Sequence, residues 1–242
     1  MNFFKKDFHI KFKSYLGNFA IATPVLRAIK VRSKWMNNQT AAFSYANCPG
    51  MSDYATAGYV VTAHTDISIK ANKMGVVVIT LPSACDNSRL QPAAFEYKLV
   101  EGMVNIDKVK PYAGKVPLPW MMQSRKGYSA YVLPPLMHAD YLDKIFVYPG
   151  IIDCDEYHTL NFVFSPIKEC EFTIYAGTPL LHVIPFKREV ITAECDKASM
   201  EEVDRHLFGF TSRIKHYYRK YFHKKKSFTM KCPYEPRVPL NE

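Results

Sequence analysis

The sequence predicts a mainly β protein, an antiparallel β-clip or jelly-roll-like sandwich followed by a long C-terminal α-helix. Three observations predict it. Short runs of β-branched and aromatic residues recur between residues 59 and 190, punctuated at close spacing by Gly and Pro, which is the pattern of short antiparallel strands. Aromatic residues are abundant, with 16 Tyr and 16 Phe, and such rings suit the pleated, half-buried surface of a sheet. The 16 prolines against 10 glycines imply many chain reversals and few long helices.

Taken in order, Phe8, Ile10 and Phe12 alternate with His9, Lys11 and Lys13, a period of two that reads as a strand, and residues 20–31 are its expected partner. Pro49 suits a first helical position and Gly58 a helix stop, so a short helix is expected between them. Alternation resumes over 59–70, with Ile67 and Ile69 on one side and Asp66, Ser68 and Lys70 on the other. The apolar run 76–81 reads as a buried strand, and 95–104 and 128–133 as further strands. Between those two, 111–119 (PYAGKVPLP) is a loop by composition. Gly150-Ile151-Ile152 leads into two acids, 160–164 is strand-like, and Ser165-Pro166 reads as a turn. Ala176-Gly177-Thr178-Pro179 then feeds the apolar run 180–186.

The helix comes late. Ser199 and Glu202 stand three apart, as in a capping box. Val203, Leu207, Phe210, Ile214, Tyr217 and Tyr221 follow at steps of four and three, an apolar stripe on a helix of about six turns. Two regions follow from this reading: a β-rich domain over 1–192 and a basic amphipathic helix with its tail over 193–242.

Apolar residues make up 48% of the 242 residues, ample for a buried core. The formal charge is +10, yet residues 213–226 alone hold seven bases and no acid. The basic character is therefore largely local and concerns an anionic partner, not the fold. Six scattered cysteines without a CxxC argue against a structural zinc site and for reduced thiols. With no secretory apolar segment and nothing near the roughly 18 apolar residues of a membrane span, the expected setting is cytoplasmic, with no membrane partner.

Three constellations could carry chemistry. Asp153 and Asp155 stand two apart, so in an extended segment both carboxylates point to one side and can reach one ion or one water. The plainer reading is an Asp-rich turn at a strand end. His64-Thr65-Asp66 spells the His-x-Asp arm of a facial triad for Fe(II), with His138, His158 or His182 as the third ligand, a tripeptide that also arises by chance. Finally, Lys215, Arg219, Lys220, Lys224, Lys225 and Lys226 are interleaved with Tyr217, Tyr218 and Tyr221. Such a patch suits a polyanion or an acidic protein, and equally a solvated face. Its apolar stripe would dock on the β body or on a second copy of the chain.

The segment 150–186, with Gly150-Ile-Ile-Asp153, Tyr157 and the Gly177 turn leading into Leu180-Leu-His-Val-Ile-Pro-Phe186, resembles the deoxyuridine triphosphatase and deoxycytidine triphosphate deaminase superfamily. That resemblance implies Asp153 as a water-orienting acid, Tyr157 as the group stacked on deoxyribose, Ser124 and Arg125 as ligand contacts, and Mg as the ion of a nucleotide hydrolase. The chain departs from the pattern in the extra Glu156, in His158 where arginine is expected, and in lacking a Gly-rich phosphate-closing arm. A longer resemblance, through Cys48-Pro49, Gly58-Tyr59, Gly127-Tyr128-Ser129 and 177–189, is to a family of phage and bacterial proteins without an established activity, and it implies the cytoplasm of a bacterial or phage-infected cell, or a virion, as the setting. The function expected is a phage-type β protein binding a nucleotide or other ligand near Asp153 and Tyr157. The alternatives are a viral structural or interaction protein, and a non-haem iron oxygenase.

Overall fold

In the computed structural model, which describes residues 10–14, 23–31, 48–82, 91–96, 112–156, 159–211 and 223–224, the segment that composition marks as a loop is the longest strand. It is β7 (Tyr112–Gln123), a 12-residue strand at the centre of its sheet. Its prolines do not break it because of where its neighbours lie. On one flank β6 (Ala93–Glu96) pairs with residues 112–115 and β1 (Lys11–Ser14) with 120–123, so Pro117 and Pro119 fall between the two ladders. On the other flank, β11 (Thr159–Pro166) shifts register opposite the same stretch, from Thr159↔Met121 to Asn161↔Pro117. Proline lacks a donor and is tolerated where no ladder bond is asked of it.

That sheet is completed by β9 (Ile145–Val147) in the order β1-β7-β11-β9, with β6 beside β7. A second five-stranded sheet has the order β10-β8-β13-β3-β2, built from β10 (Gly150–Ile152), β8 (Tyr128–Leu133), β13 (Pro179–Lys187), β3 (Tyr59–Thr62) and β2 (Leu26–Arg27). A third has three strands, β12 (Cys170–Ile174), β4 (Ile67–Ala71) and β5 (Val77–Thr80). Among the described residues, the pairings of these thirteen strands are all antiparallel. The mainly β, antiparallel expectation therefore holds.

The three sheets turn their apolar faces to one core, which includes Ile67 and Ile69, Leu118 and Trp120, Phe162 and Phe164, and Val132 and Val183. Fully burying each such side chain stabilises the fold by roughly 1.5–3 kcal/mol. Close approach is built into β7 at Gly114, where a Cβ would lie 2.6 Å from Phe164 Cζ and 2.8 Å from Ile79 Cδ1. A side chain there would push β5 and β11 off β7.

Several expectations change. The run 76–81 is not a buried strand. β5 is an edge strand of the three-stranded sheet, and Val78 is 56% exposed. Residues 26–27 pair with β3 and not with the first strand. Ser165-Pro166 is the end of β11, paired with β9, so the turn comes later. The stretch 59–70 divides into β3, buried throughout, and β4, which alternates.

Among the described residues there are two α-helices. α1 (Pro49–Thr56) has Pro49 in its first turn as expected, and Gly58 follows at φ +66°. α2 (Met200–Thr211) begins with the capping box: Glu202 N–H donates to Ser199 Oγ at 3.2 Å, and Ser199 N–H donates to Glu202 Oε2 at 2.9 Å. Its extension to about residue 221 lies outside the described residues, which show helix only as far as Thr211. Within it Leu207, of the apolar stripe, is 51% exposed. No helix among the described residues is long and apolar enough to cross a membrane. Cys48, Cys154, Cys170 and Cys195 are unbridged.

Candidate functional site

The β7–β8 turn and the loop after β10 meet at one end of the second sheet, because β10 pairs with β8 through Ile152↔Ala130. This brings Ser124 and Arg125 beside Asp153 and Asp155. Ser124 N–H donates to Cys154 O at 3.1 Å, and Gly127 N–H donates to Asp155 Oδ2 at 2.7 Å. Gly127 sits at φ +87°, a conformation glycine adopts without steric cost. Ser129 Oγ donates to Asp153 Oδ1 at 2.6 Å.

The organising cation is Arg188, just beyond β13. Its Nη1 lies 2.9 Å from Asp153 Oδ1, its Nη2 bonds Asp155 Oδ2, and its backbone N–H donates to Gly127 O at 2.9 Å. One guanidinium therefore clamps both carboxylates and the turn between β7 and β8, a task suited to its planar fork. The hydroxyl of Ser129 and then the Arg188 guanidinium hold the Asp153 carboxyl below its ordinary range. The Gly127 amide leads in doing the same for Asp155. The Asp153 bond raises Arg188 further. Both acids are thus held ionised, as paired acceptors. Arg125 turns the other way, its Nη2 donating to Tyr128 Oη at 2.8 Å and its guanidinium lying 5.0 Å from that ring's centroid.

Alongside this clamp runs a cleft of about 300 Å3, lined by Gly150 and Ile152 before the two acids and by Thr159 and Asn161 after them, with Val132 and Tyr148 in its walls. It lies where β10 of one sheet parts from β11 of the other. Tyr157 and His158 lie between these elements, outside the described residues.

His64, Asp66 and His182 are not brought together. His64 is 3% exposed, with no hydrogen-bond partner on either ring nitrogen, and burial pushes its imidazole down to about 4. Asp66 Oδ1 accepts the Ala176 N–H at 2.8 Å. His182 Nε2 lies 2.7 Å from Ala57 O. A carbonyl can only accept, so Nε2 carries the proton. Its ring meets Tyr54 at 5.0 Å and His138 at 5.8 Å under α1, and burial lowers both histidines. Among the described residues no group of three or more His, Cys, Asp or Glu could hold a metal ion.

Of the basic segment, only Lys224 is described. It is exposed and follows His223, whose Nε2 lies 3.1 Å from Asp53 Oδ2 on α1. Lys215, Arg219, Lys220, Lys225 and Lys226 lie outside the described residues. Sequence reasoning gives Arg188, Ser129 and Gly127 no part in this site. No local signal marks them, since β13 reaches β8 only through the ladder His182↔Leu133 to Lys187↔Tyr128. No protein-family model matches the chain, and no curated protein matches it.

Proposed function

We propose that the chain is a ligand-binding protein built on a β-sandwich of the clip or jelly-roll kind, with a nucleotide held at the cleft between β10 and β11. The observation that carries this reading is the cleft of about 300 Å3 lined by residues that precede and follow the loop of Asp153 and Asp155, with neither acid in its lining. That volume is at the lower end of ligand sites, which run roughly 300–1,000 Å3. Its lining joins apolar Val132 and Ile152 to polar Thr159 and Asn161, a mixture that suits a flat ring with polar edges. Among the described residues β10 pairs only with β8, so its other edge offers backbone donors and acceptors. Tyr157 is the stacking group in this reading, and a phage or bacterial source accompanies it through the resemblance of 177–189. Binding is favoured over hydrolysis because Asp153 and Asp155 already accept from Arg188, Ser129 and Gly127.

The test is calorimetric titration with the deoxynucleoside triphosphates, with and without magnesium, on wild type, Asn161→Ala and Tyr157→Ala. Binding weakened about tenfold in each variant is the expected result, equal to about 1.4 kcal/mol. No heat and no thermal shift with any nucleotide at millimolar concentration would overturn it.

A second reading, an interaction protein using its basic segment, is favoured by the His223–Asp53 contact, which ties the residue before the exposed Lys224 to α1. Single-stranded DNA binding with a log–log salt slope of roughly −0.7 per phosphate contact, lost on changing Lys224, Lys225 and Lys226 to Ala, is its measurable consequence.

A further inference from the structure

The three-stranded sheet has a second face that the core does not use. Along β4, Ile67, Ile69 and Ala71 are buried while Ser68 and Lys70 are exposed. Residues directly opposed across strands share a face, and the register sets Thr173 opposite Ser68 and Ser68 opposite Thr80. The next outward row is Glu171, Lys70 and Val78. The first row is a line of three hydroxyls, with Ser68 Oγ and Thr173 Oγ1 hydrogen-bonded at 3.1 Å. In the second, Lys70 Nζ and Glu171 Oε2 pair at 2.8 Å with both side chains about two-thirds exposed, 67% and 72%. These six outward residues line an open groove of about 390 Å3, together with Ile69 and Phe172 of the core-facing row beneath. Beyond the end of β12, Tyr175 is 68% exposed, beside the turn whose Ala176 N–H is held by Asp66.

The chemistry of this face narrows its occupant. Protein interfaces are apolar and depleted of charge at their centre, whereas Val78 is the one apolar side chain among the six. A polyanion needs uncompensated positive charge, and Lys70 is neutralised by Glu171. Three hydroxyls that both donate and accept, an ammonium that donates and a carboxylate that accepts match a ligand that is uncharged and dense in hydroxyl groups. An exposed tyrosine ring at the margin supplies an apolar plate with a polar tip, suited to the C–H face of a pyranose. Three strands spaced about 4.8 Å apart make a platform about 10 Å wide, enough for a short run of sugar units.

We propose that the outward face of β12–β4–β5 binds a neutral glycan chain, with Tyr175 as its stacking plate and Ser68, Thr173 and Thr80 as its hydrogen-bonding row. The site is independent of the cleft between β10 and β11.

The experiment is affinity electrophoresis of the full chain in gels containing dextran, glucomannan, mixed-linkage β-glucan or starch, followed by titration of the matching oligosaccharides. Wild type should be retarded by at least one polymer at both low and high salt. Tyr175→Ala, and Ser68→Ala combined with Thr173→Ala, should each weaken binding about tenfold, while Ile151→Ser on the second sheet leaves it unchanged. All the altered side chains are exposed or half-buried, and a thermal melt confirms that the variants fold. Absence of retardation in all four gels, retardation that the variants do not alter, or binding only to dextran sulfate and only at low salt would each overturn the proposal. So would a dimer in light scattering that Thr173→Lys dissociates, which would make the face a contact between copies.

Discussion

Changing Gly58 to alanine tests the joint on which the second sheet hangs. Gly58 has φ +66°, and a Cβ there would stand 2.1 Å from Val183 O, 3.0 Å from Val183 C and 3.1 Å from Ile184 Cα. The left-handed conformation alone costs a non-glycine residue about 1–2 kcal/mol. The clash is with backbone on a central strand, so no side chain can swing away. Relief requires β13 to move off β3, straining the Tyr59↔Val183 pair and the Ala28 N–H to Gly58 O bond of 3.0 Å. Held strain of this kind adds about 1–3 kcal/mol, giving a total loss of about 2–5 kcal/mol. For a chain of this size each kcal/mol lowers Tm by roughly 2–4 °C, so a fall of about 10 °C is expected. Urea denaturation followed by tryptophan fluorescence reads the loss as a lower midpoint at unchanged slope. Gly50→Ala is the control: nothing lies within 4 Å of its Cβ position and it sits in α1, so it should be neutral or stabilising. A loss below about 1 kcal/mol for Gly58→Ala, or the same response at both glycines, would refute the reasoning.

Two further outcomes follow from the buried and clamped groups. Burial lowers the His64 imidazole from 6.5 to about 4, so the unfolded chain takes up this proton first as pH falls. Its contribution is complete above pH 6.5, is lost between 6.5 and about 4, and amounts to about 3 kcal/mol. His64→Gln should flatten the stability profile in that window, and an unchanged slope would contradict the assignment. Arg188→Ala leaves the Asp155 carboxylate, 5% exposed, without its cation. Hydrogen exchange at the Gly127 amide should accelerate, and Arg188→Lys should restore protection only partly, because an ammonium cannot bridge two carboxylates as a fork does. Equal exchange in all three proteins would mean that the clamp is incidental.

How much of this was legible in the chain depends on the range of the forces involved. α1 with its proline start and glycine stop, the capping box of Ser199 and Glu202, the alternation of β4 and the strand β8 are written locally, since a helix cap and a two-residue period need only near neighbours. The pair Asp153 and Asp155 could be picked out for the same reason. Tertiary structure decided the rest. Pro117 and Pro119 are compatible with a central strand only because β6 and β1 take the segments on either side of them. The apolar run in β5 leaves Val78 in solvent because it lies at an edge. What the two acids do was decided by Arg188, which lies 33 residues beyond Asp155. It arrives through an antiparallel ladder, and the pairing of distant strands is set by core burial across all three sheets rather than by any motif that residues 150–157 contain.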